Sequence, residues 1–322
     1  MRLELPPRGS SRLLVLSRSG RIAHARFRHL PLLLRPGDCL VVNRTRVLPW
    51  RLVGRKPSGG RVEFLLLGRR GEVWEALGRF GGRLRPGTRV LLEPHPGQEG
   101  AEAAEVLVEG RTEEGRFILR LPGGEEQFFS LYGRPPLPPY VKGELSDPER
   151  YQTVYARVPG SLAAPTAGLH FTPEILSRLR SRGVEVTGVI LHLGPFSFLV
   201  PPPLPPPPEE VAVEEEAVEA VLRCRMRGGR VVAVGTSTVR ALETAALSGK
   251  LRPFSGPTSL FIRPGFPFRV VDALLTNFHY SGSSHLDLVA ALAGEDTVKK
   301  AYEEARIRGY RFYSFGDAML VL

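Results

Sequence analysis

The chain has 322 residues, 42% of them hydrophobic and 24% charged, with a formal net charge of +11 and two cysteines, Cys39 and Cys224. That length accommodates two domains, or one large domain with an insertion. Two isolated cysteines argue against a disulfide framework and a zinc site of the usual spacing, and the absence of any run of about 18 apolar residues argues against a membrane span.

The expected setting is therefore cytoplasmic, with no membrane span. Residues 1–5 show no long apolar run after a basic start, so no secretion signal is expected. The positive surplus attracts polyanions, and RNA, DNA or an acidic membrane surface are all candidates. Only Lys56, Lys142, Lys250, Lys299 and Lys300 are lysines; the other basic residues are arginines. Such a bias, with many Gly, Pro and Ala, equally reflects a GC-rich genome. Charge alone does not choose between these readings.

Two short buried strands are expected at residues 13–16 and 39–42, the second after the turn sequence Arg35-Pro36-Gly37-Asp38. From about residue 51 to 121, short apolar or alternating runs recur at 62–67, 73–77, 89–92, 104–108 and 117–121. Glycine-rich turns separate them, with no room for helices. That rhythm predicts a small antiparallel barrel or sandwich. We read it as an inserted domain, 51–150, with the proline-rich Arg134-Pro135-Pro136-Leu137-Pro138-Pro139-Tyr140 returning the chain to the main domain, 1–50 and 151–322.

Beyond residue 151 strands and helices alternate. Thr172-Pro173-Glu174 is a helix start, and Gly183 ends that helix. Further helices are predicted at 214–227, 238–247, 283–293 and 296–308, and strands at 184–193, 230–234 and 270–275. The expected fold class is α/β, a mostly parallel sheet domain carrying a small antiparallel β-barrel. Residues 201–208, proline except for Leu204, read as a stiff spacer.

In open α/β sheets ligands bind at the carboxyl ends of the strands. Here those ends run into His192-Leu193-Gly194, Gly235-Thr236-Ser237-Thr238-Val239-Arg240 and Thr276-Asn277-Phe278-His279. The loop Pro165-Thr166-Ala167-Gly168-Leu169-His170-Phe171 leads into the helix at Pro173. Each piece also has a plain structural reading. A histidine after a strand is often only hydrogen-bonded, Gly235-Thr236-Ser237 serves as an N-cap, and Arg240 makes a surface ion pair. His170, His192 and His279 lack HxxxH or HExxH spacing, so no metal is expected. The glycines do not form GxGxxG.

Taken in order, the motifs are more specific. They are Asn43-Arg44-Thr45-Arg46-Val47, Pro138-Pro139-Tyr140, Tyr151-Gln152-Thr153-Val154-Tyr155, Ala163-Ala164-Pro165-Thr166-Ala167-Gly168-Leu169-His170-Phe171 and Leu191-His192-Leu193-Gly194. Val232-Ala233-Val234-Gly235-Thr236, Val271-Asp272-Ala273-Leu274-Leu275-Thr276-Asn277-Phe278-His279 and Ser314-Phe315-Gly316-Asp317-Ala318-Met319 follow. The set resembles the S-adenosylmethionine:tRNA ribosyltransferase-isomerase family of queuosine synthesis along nearly the whole chain. The resemblance implies an α/β domain with an inserted β-barrel. It implies an enzyme that uses S-adenosylmethionine as ribosyl donor to 7-aminomethyl-7-deazaguanine at the tRNA wobble position. Epoxyqueuosine forms, and adenine and methionine leave. The implied partners are tRNA and the donor, with no further cofactor; a monomer is expected.

On that resemblance His170, His192 and His279 are the proton-transfer candidates. Asn277, Thr236 and Ser237 would orient the donor, and Arg240 would take its methionine carboxylate. Asn43, Thr45, Arg46, Thr166, Gly168, Gly235 and Asp317 complete the expected substrate-binding set. The chain departs from the family pattern at Arg44, in the order Ser237-Thr238, at Phe196 and at Tyr280-Ser281-Gly282. It also lacks a histidine-rich stretch before Glu214. These departures leave a second reading open, a tRNA-binding paralogue without the activity.

Overall fold

The structure, a computed structural model, describes all residues except Met1, Glu4, Pro96, Gly97, Glu99, Lys142 and 199–202; for Arg2 and Leu3 it describes the backbone only. Two compact units result, one of Met1–Leu3 and Val47–Pro148, the other of Glu4–Arg46 and Glu149–Leu322.

The smaller unit is built on a closed six-stranded barrel. Its strands, Arg51–Arg55, Arg61–Arg70, Val73–Phe80, Arg89–Leu92, Glu105–Arg111 and Phe117–Arg120, pair antiparallel throughout. Alternate residues point inward, so Val62, Phe64 and Leu66 of one strand meet Val106 and Val108 of another in a single apolar core. The strand Arg51–Arg55 escapes sequence reading because Gly54 and two arginines break its apolar run. Gly54 is needed there, since a Cβ would lie 2.5 Å from the Leu91 carbonyl oxygen of the neighbouring strand. The helix Glu125–Tyr132, also unforeseen, adds Phe128 and Tyr132 to this core.

The larger unit carries a nine-stranded sheet. In chain order its strands are β1 (Arg12–Leu16), β2 (Ile22–Arg26), β3 (Cys39–Asn43), β4 (Glu185–Leu191), β5 (Glu209–Val213), β6 (Val231–Val234), β7 (Phe254–Thr258), β8 (Ala273–Asn277) and β9 (Ala318–Val321). Their spatial order is β7-β5-β4-β3-β6-β8-β9-β1-β2. The α/β class and the barrel are thus as expected. The centre, β4-β3-β6-β8, is parallel, while β5, β7 and β2 pair antiparallel at the edges and β9 runs antiparallel to β8. The sheet is therefore mixed. One reason is connection length: β1 and β2 are joined by the short turn 17–21, and so short a link permits only an antiparallel pair.

Both faces of the centre are buried, which explains its near-continuous apolar runs. Cys39 and Val41 of β3 face one core with Val231 and Ala233 of β6; Leu40 and Val42 face the other with Val232 and Val234. On the first face pack α2 (Glu215–Met226), α3 (Thr236–Ala245), α4 (Ser284–Ala293) and α5 (Glu295–Ile307). On the second packs α1 (Pro173–Ser181), capped by the Thr172 hydroxyl that accepts from Ile175 N. Residues 203–208 form no helix or strand, and the rest of the expected spacer, Pro201 and Pro202, lies outside the described residues.

Strand β8 begins at Ala273, three residues later than the apolar run predicts. The cause is Glu243 of α3, which is 1% exposed. Its carboxylate accepts from Arg269 N (3.0 Å), Val270 N (3.0 Å) and Val271 N (2.9 Å), so these groups leave the ladder. We predict that Glu243→Ala, which strands these three donors, lowers unfolding free energy by about 3 kcal/mol. Urea denaturation measures it, and a loss below about 1 kcal/mol would show that water reaches them instead.

Candidate active site

Strands β4 and β6 flank β3 on opposite sides, although β3 precedes both in the chain. A crevice belongs at such a switch point, outside the carboxyl ends of the strands. The structure puts a polar cluster there. Asn43 ends β3 and is 0% exposed. Its Nδ2 donates to Leu191 O at 2.9 Å and Ser237 Oγ at 3.1 Å; its Oδ1 accepts from Thr45 N at 3.1 Å and Leu191 N at 3.2 Å. The amide thus ties the end of β4 to the first turn of α3.

From that anchor the next residues are placed. Thr45 Oγ1 bonds His192 Nδ1 at 2.7 Å, one residue past β4. The imidazole rests on Gly160, where a Cβ would lie 2.6 Å from Cε1. No hydrogen bond of Nε2 is found among the described residues. Burial holds the His192 pKa below the ordinary histidine value, against a weaker upward pull from Glu210. Beside it Gly235, at φ +85°, turns the chain from β6 into α3. Glycine has no side chain to cap the helix, so the first N–H groups, at Thr236 and Ser237, have no side-chain cap. Thr238 turns its hydroxyl back to Val234 O instead.

Arg240, one turn further, is committed. It pairs with Glu209 of β5 and donates from Nε to Leu260 O at 3.0 Å. Glu209 in turn accepts from Gly194 N at 2.9 Å. His279 lies beyond β8, its Nε2 bonded to Thr276 Oγ1 at 2.9 Å and its ring stacked on His285 of α4 with centroids 5.0 Å apart. Burial, reinforced by the His285 ring, holds its pKa well below the ordinary value.

The other sheet face carries a second cluster. Asn277 ends β8; its Oδ1 accepts from Thr166 Oγ1 at 3.2 Å, and its Nδ2 donates to Tyr313 O at 3.3 Å and His170 Nε2 at 3.2 Å. His170 Nδ1 meets Ser11 Oγ at 3.0 Å. Both His170 nitrogens are therefore engaged, and burial holds its pKa down to about 4. The two clusters adjoin at Gly235, whose missing Cβ would lie 3.7 Å from both the Ala167 side chain and Ser237 Oγ. Gly168 is required by Tyr155, whose hydroxyl occupies the space a Cβ would take. That hydroxyl and the Thr153 hydroxyl are sealed from solvent, with no hydrogen-bond partner among the described residues.

Of the expected residues, Asn43, Thr45, His192, Gly235, Thr236 and Ser237 thus gather on one side, and Thr166, Gly168, His170 and Asn277 on the other. No hydrogen bond or ring contact links any two of His170, His192 and His279. Arg46 ion-pairs with Glu149 at 2.5 Å. Asp317, 1% exposed, binds both Arg12 and Arg311. Burial alone would raise its pKa, but the hydrogen bonds from Arg311 and Arg12 hold it below the ordinary value. Sequence reasoning missed Ser11, Gly160, Glu209 and His285. None stands in a distinctive spacing; only tertiary contact marks them.

Comparison with known proteins agrees with this architecture. The family described as "Queuosine biosynthesis protein" matches residues 3–321. A Thermus thermophilus protein named S-adenosylmethionine:tRNA ribosyltransferase-isomerase is 50% identical over 98% of this chain and 94% of its own length. One of that name from Thermotoga petrophila is 45% identical over 98% and 94%. A crystal structure of S-adenosylmethionine tRNA ribosyltransferase from Thermotoga maritima superposes with a TM-score of 0.55 at 37% identity, covering 100% of this chain and 99% of that one. The chain belongs to the queuosine biosynthesis protein family. No described helix is long and apolar enough to cross a membrane, and the described residues hold no cluster of three potential metal ligands.

Asn43→Asp keeps the shape but replaces a donor by a carboxylate facing Leu191 O and Ser237 Oγ. We expect a loss of about 3 kcal/mol at neutral pH, measured by denaturant unfolding. His170 gives a pH signature. Its folded-state pKa, about 4, lies below the usual 6.5. Folding thus favours the neutral ring, and this contribution, full above pH 6.5, is lost as pH falls towards 4. Wild type should lose about 3 kcal/mol over that interval relative to His170→Gln. Parallel stability curves for the two would sink the assignment.

Proposed function

We propose that this chain transfers and isomerises the ribosyl moiety of S-adenosylmethionine onto 7-aminomethyl-7-deazaguanine at the tRNA wobble position. The products are epoxyqueuosine-tRNA, adenine and methionine. Family membership and the names of the relatives support the class of reaction. The observation that carries the site is the polar cluster at the carboxyl ends of β3, β4 and β6, where an imidazole whose Nε2 makes no hydrogen bond among the described residues stands beside a helix N-terminus without a side-chain cap.

The chemistry asks for such a group. A sulfonium acidifies the adjacent ribose carbon, so a neutral base can remove a proton there and adenine can depart. His192 is assigned to that step: Thr45 orients it through Nδ1, Gly160 gives it room, and burial keeps it unprotonated at neutral pH. His279, also held neutral, is assigned to handle the proton of the attacking amine or of adenine. His170, with both nitrogens occupied, is assigned to hold Asn277, which with Thr166 and Gly168 shapes the far wall. Arg240 already has Glu209 as counter-ion, so the methionine carboxylate is placed at the first N–H groups of α3, by Thr236 and Ser237, where helix N-termini favour anions. The cytoplasm, the site of tRNA modification, is the proposed location, and the proposed unit is a monomer.

The test is incubation with S-adenosylmethionine and tRNA bearing the aminomethyl base, followed by nucleoside mass analysis. Epoxyqueuosine with stoichiometric adenine is the expected result. Binding of tRNA without adenine release would replace this reading by that of a binding paralogue. For wild type, kcat/KM should fall as pH drops through a value below 6.5, as His192 protonates. His192→Gln should lose about 100-fold or more in rate and the acid limb with it.

A further inference from the structure

A pocket on the second sheet face, apart from the cluster around His192, is lined by Pro6, Arg8, Ser11, Arg150, His170 and Ser314. Hydrogen-bond directions decide what it can hold. Asn277 Nδ2 faces the Tyr313 carbonyl, an obligate acceptor, so the amide cannot be flipped. The same Nδ2 therefore donates to His170 Nε2, and the single proton of the neutral ring sits on Nδ1. Nδ1 then donates to Ser11 Oγ. The Ser11 hydroxyl accepts that bond and keeps its own proton to give. Ser11 is 3% exposed, and no described group receives that proton. Arg150 stands alongside. Its Nη2 donates to Pro6 O at 2.6 Å, its Nε is sealed from solvent with no partner, and no carboxylate pairs with it among the described residues. A buried hydroxyl with a proton to give and a guanidinium with no counter-ion among the described residues, both on the lining, call for a ligand that only accepts and is negatively charged.

We propose that Ser11 and Arg150 form an oxyanion pocket that takes a phosphate of the nucleic-acid backbone, a reading that rests on tRNA being the substrate. A phosphodiester fits for two reasons. Pro7 on the lining is exposed, so the pocket opens to solvent where a polymer can reach it. The donor's carboxylate is already assigned to α3, on the opposite face of the sheet. The relay Asn277–His170–Ser11 joins this phosphate site to the end of β8, so seating of the RNA bears on the geometry of Asn277.

The first readout needs no catalysis: affinity for inorganic phosphate, by calorimetry at constant ionic strength. Wild type should bind, Arg150→Gln at least tenfold more weakly, and Ser11→Ala severalfold more weakly with unchanged circular dichroism. The second is the salt dependence of tRNA affinity. Arg150→Gln should reduce the slope of log K against log salt by about 0.7–0.9, the loss of one phosphate contact, while affinity for S-adenosylmethionine stays within twofold. Equal phosphate affinity in wild type and Arg150→Gln would overturn the pocket. An unchanged salt slope with weakened S-adenosylmethionine binding would overturn the phosphodiester assignment in favour of the donor's carboxylate. If wild type fails to release adenine while phosphate binding follows these expectations, the pocket stands and the proposed reaction does not.

Discussion

The candidate site depends on one buried amide. Asn43 uses all of its hydrogen-bonding capacity on four partners that belong to β4, to α3 and to the chain just beyond β3. An amide offers two donors and two acceptor positions in one plane, and no other side chain of that size combines them. By holding both the N–H and the C=O of Leu191, it fixes where β4 ends and hence where His192 begins. By holding Ser237 it sets α3 against the same point. Thr45, placed through its own N–H, then receives the imidazole. Loss of this amide would leave several buried groups unmatched at once, which is why it governs position as well as stability.

Strand geometry explains why the site has two halves. Successive residues at a strand end point to opposite faces. Thr276 therefore serves His279 on one face and Asn277 serves His170 on the other, though they are neighbours in the chain. The three histidines that sequence reasoning groups together are thus given different surroundings. One has an open nitrogen, one is stacked on a second imidazole, and one is locked between Ser11 and Asn277. All are held neutral by burial, an environment suited to accepting protons rather than carrying charge.

The arginine surplus divides similarly. Arg12 and Arg311 close on Asp317, Arg230 on Asp38 and Arg240 on Glu209, each against a carboxylate with little exposure. These pairs tie together segments remote in the chain: a loop to β1, the turns before β3 and β6 to each other, and α3 to β5. They leave little of their charge for a distant polyanion, because a close counter-ion cancels the field. Net charge alone overstates the surface available for a polyanion, and Arg150, which has no carboxylate partner among the described residues, becomes informative against that background.

The class of fold, the barrel strands with clear alternation, the doubly buried centre of the sheet and the loops at its carboxyl ends were all legible in the sequence. Each leaves a local trace in apolar periodicity, in glycine and proline turns, or in motif order. The antiparallel strands β2, β5 and β7 were not, because half-exposed or interrupted strands such as Phe254–Thr258 carry little periodicity; nor was β9, whose four wholly buried residues make too short an apolar run to mark a strand. Nor was the delayed start of β8, where a distant glutamate outcompetes the ladder for backbone donors. Residue types at the site were legible; their states were not. Whether a histidine has a free nitrogen, or an arginine a counter-ion, depends on which groups from remote segments arrive beside it. Hydrogen bonds and burial act through space, and only the folded chain decides those distances.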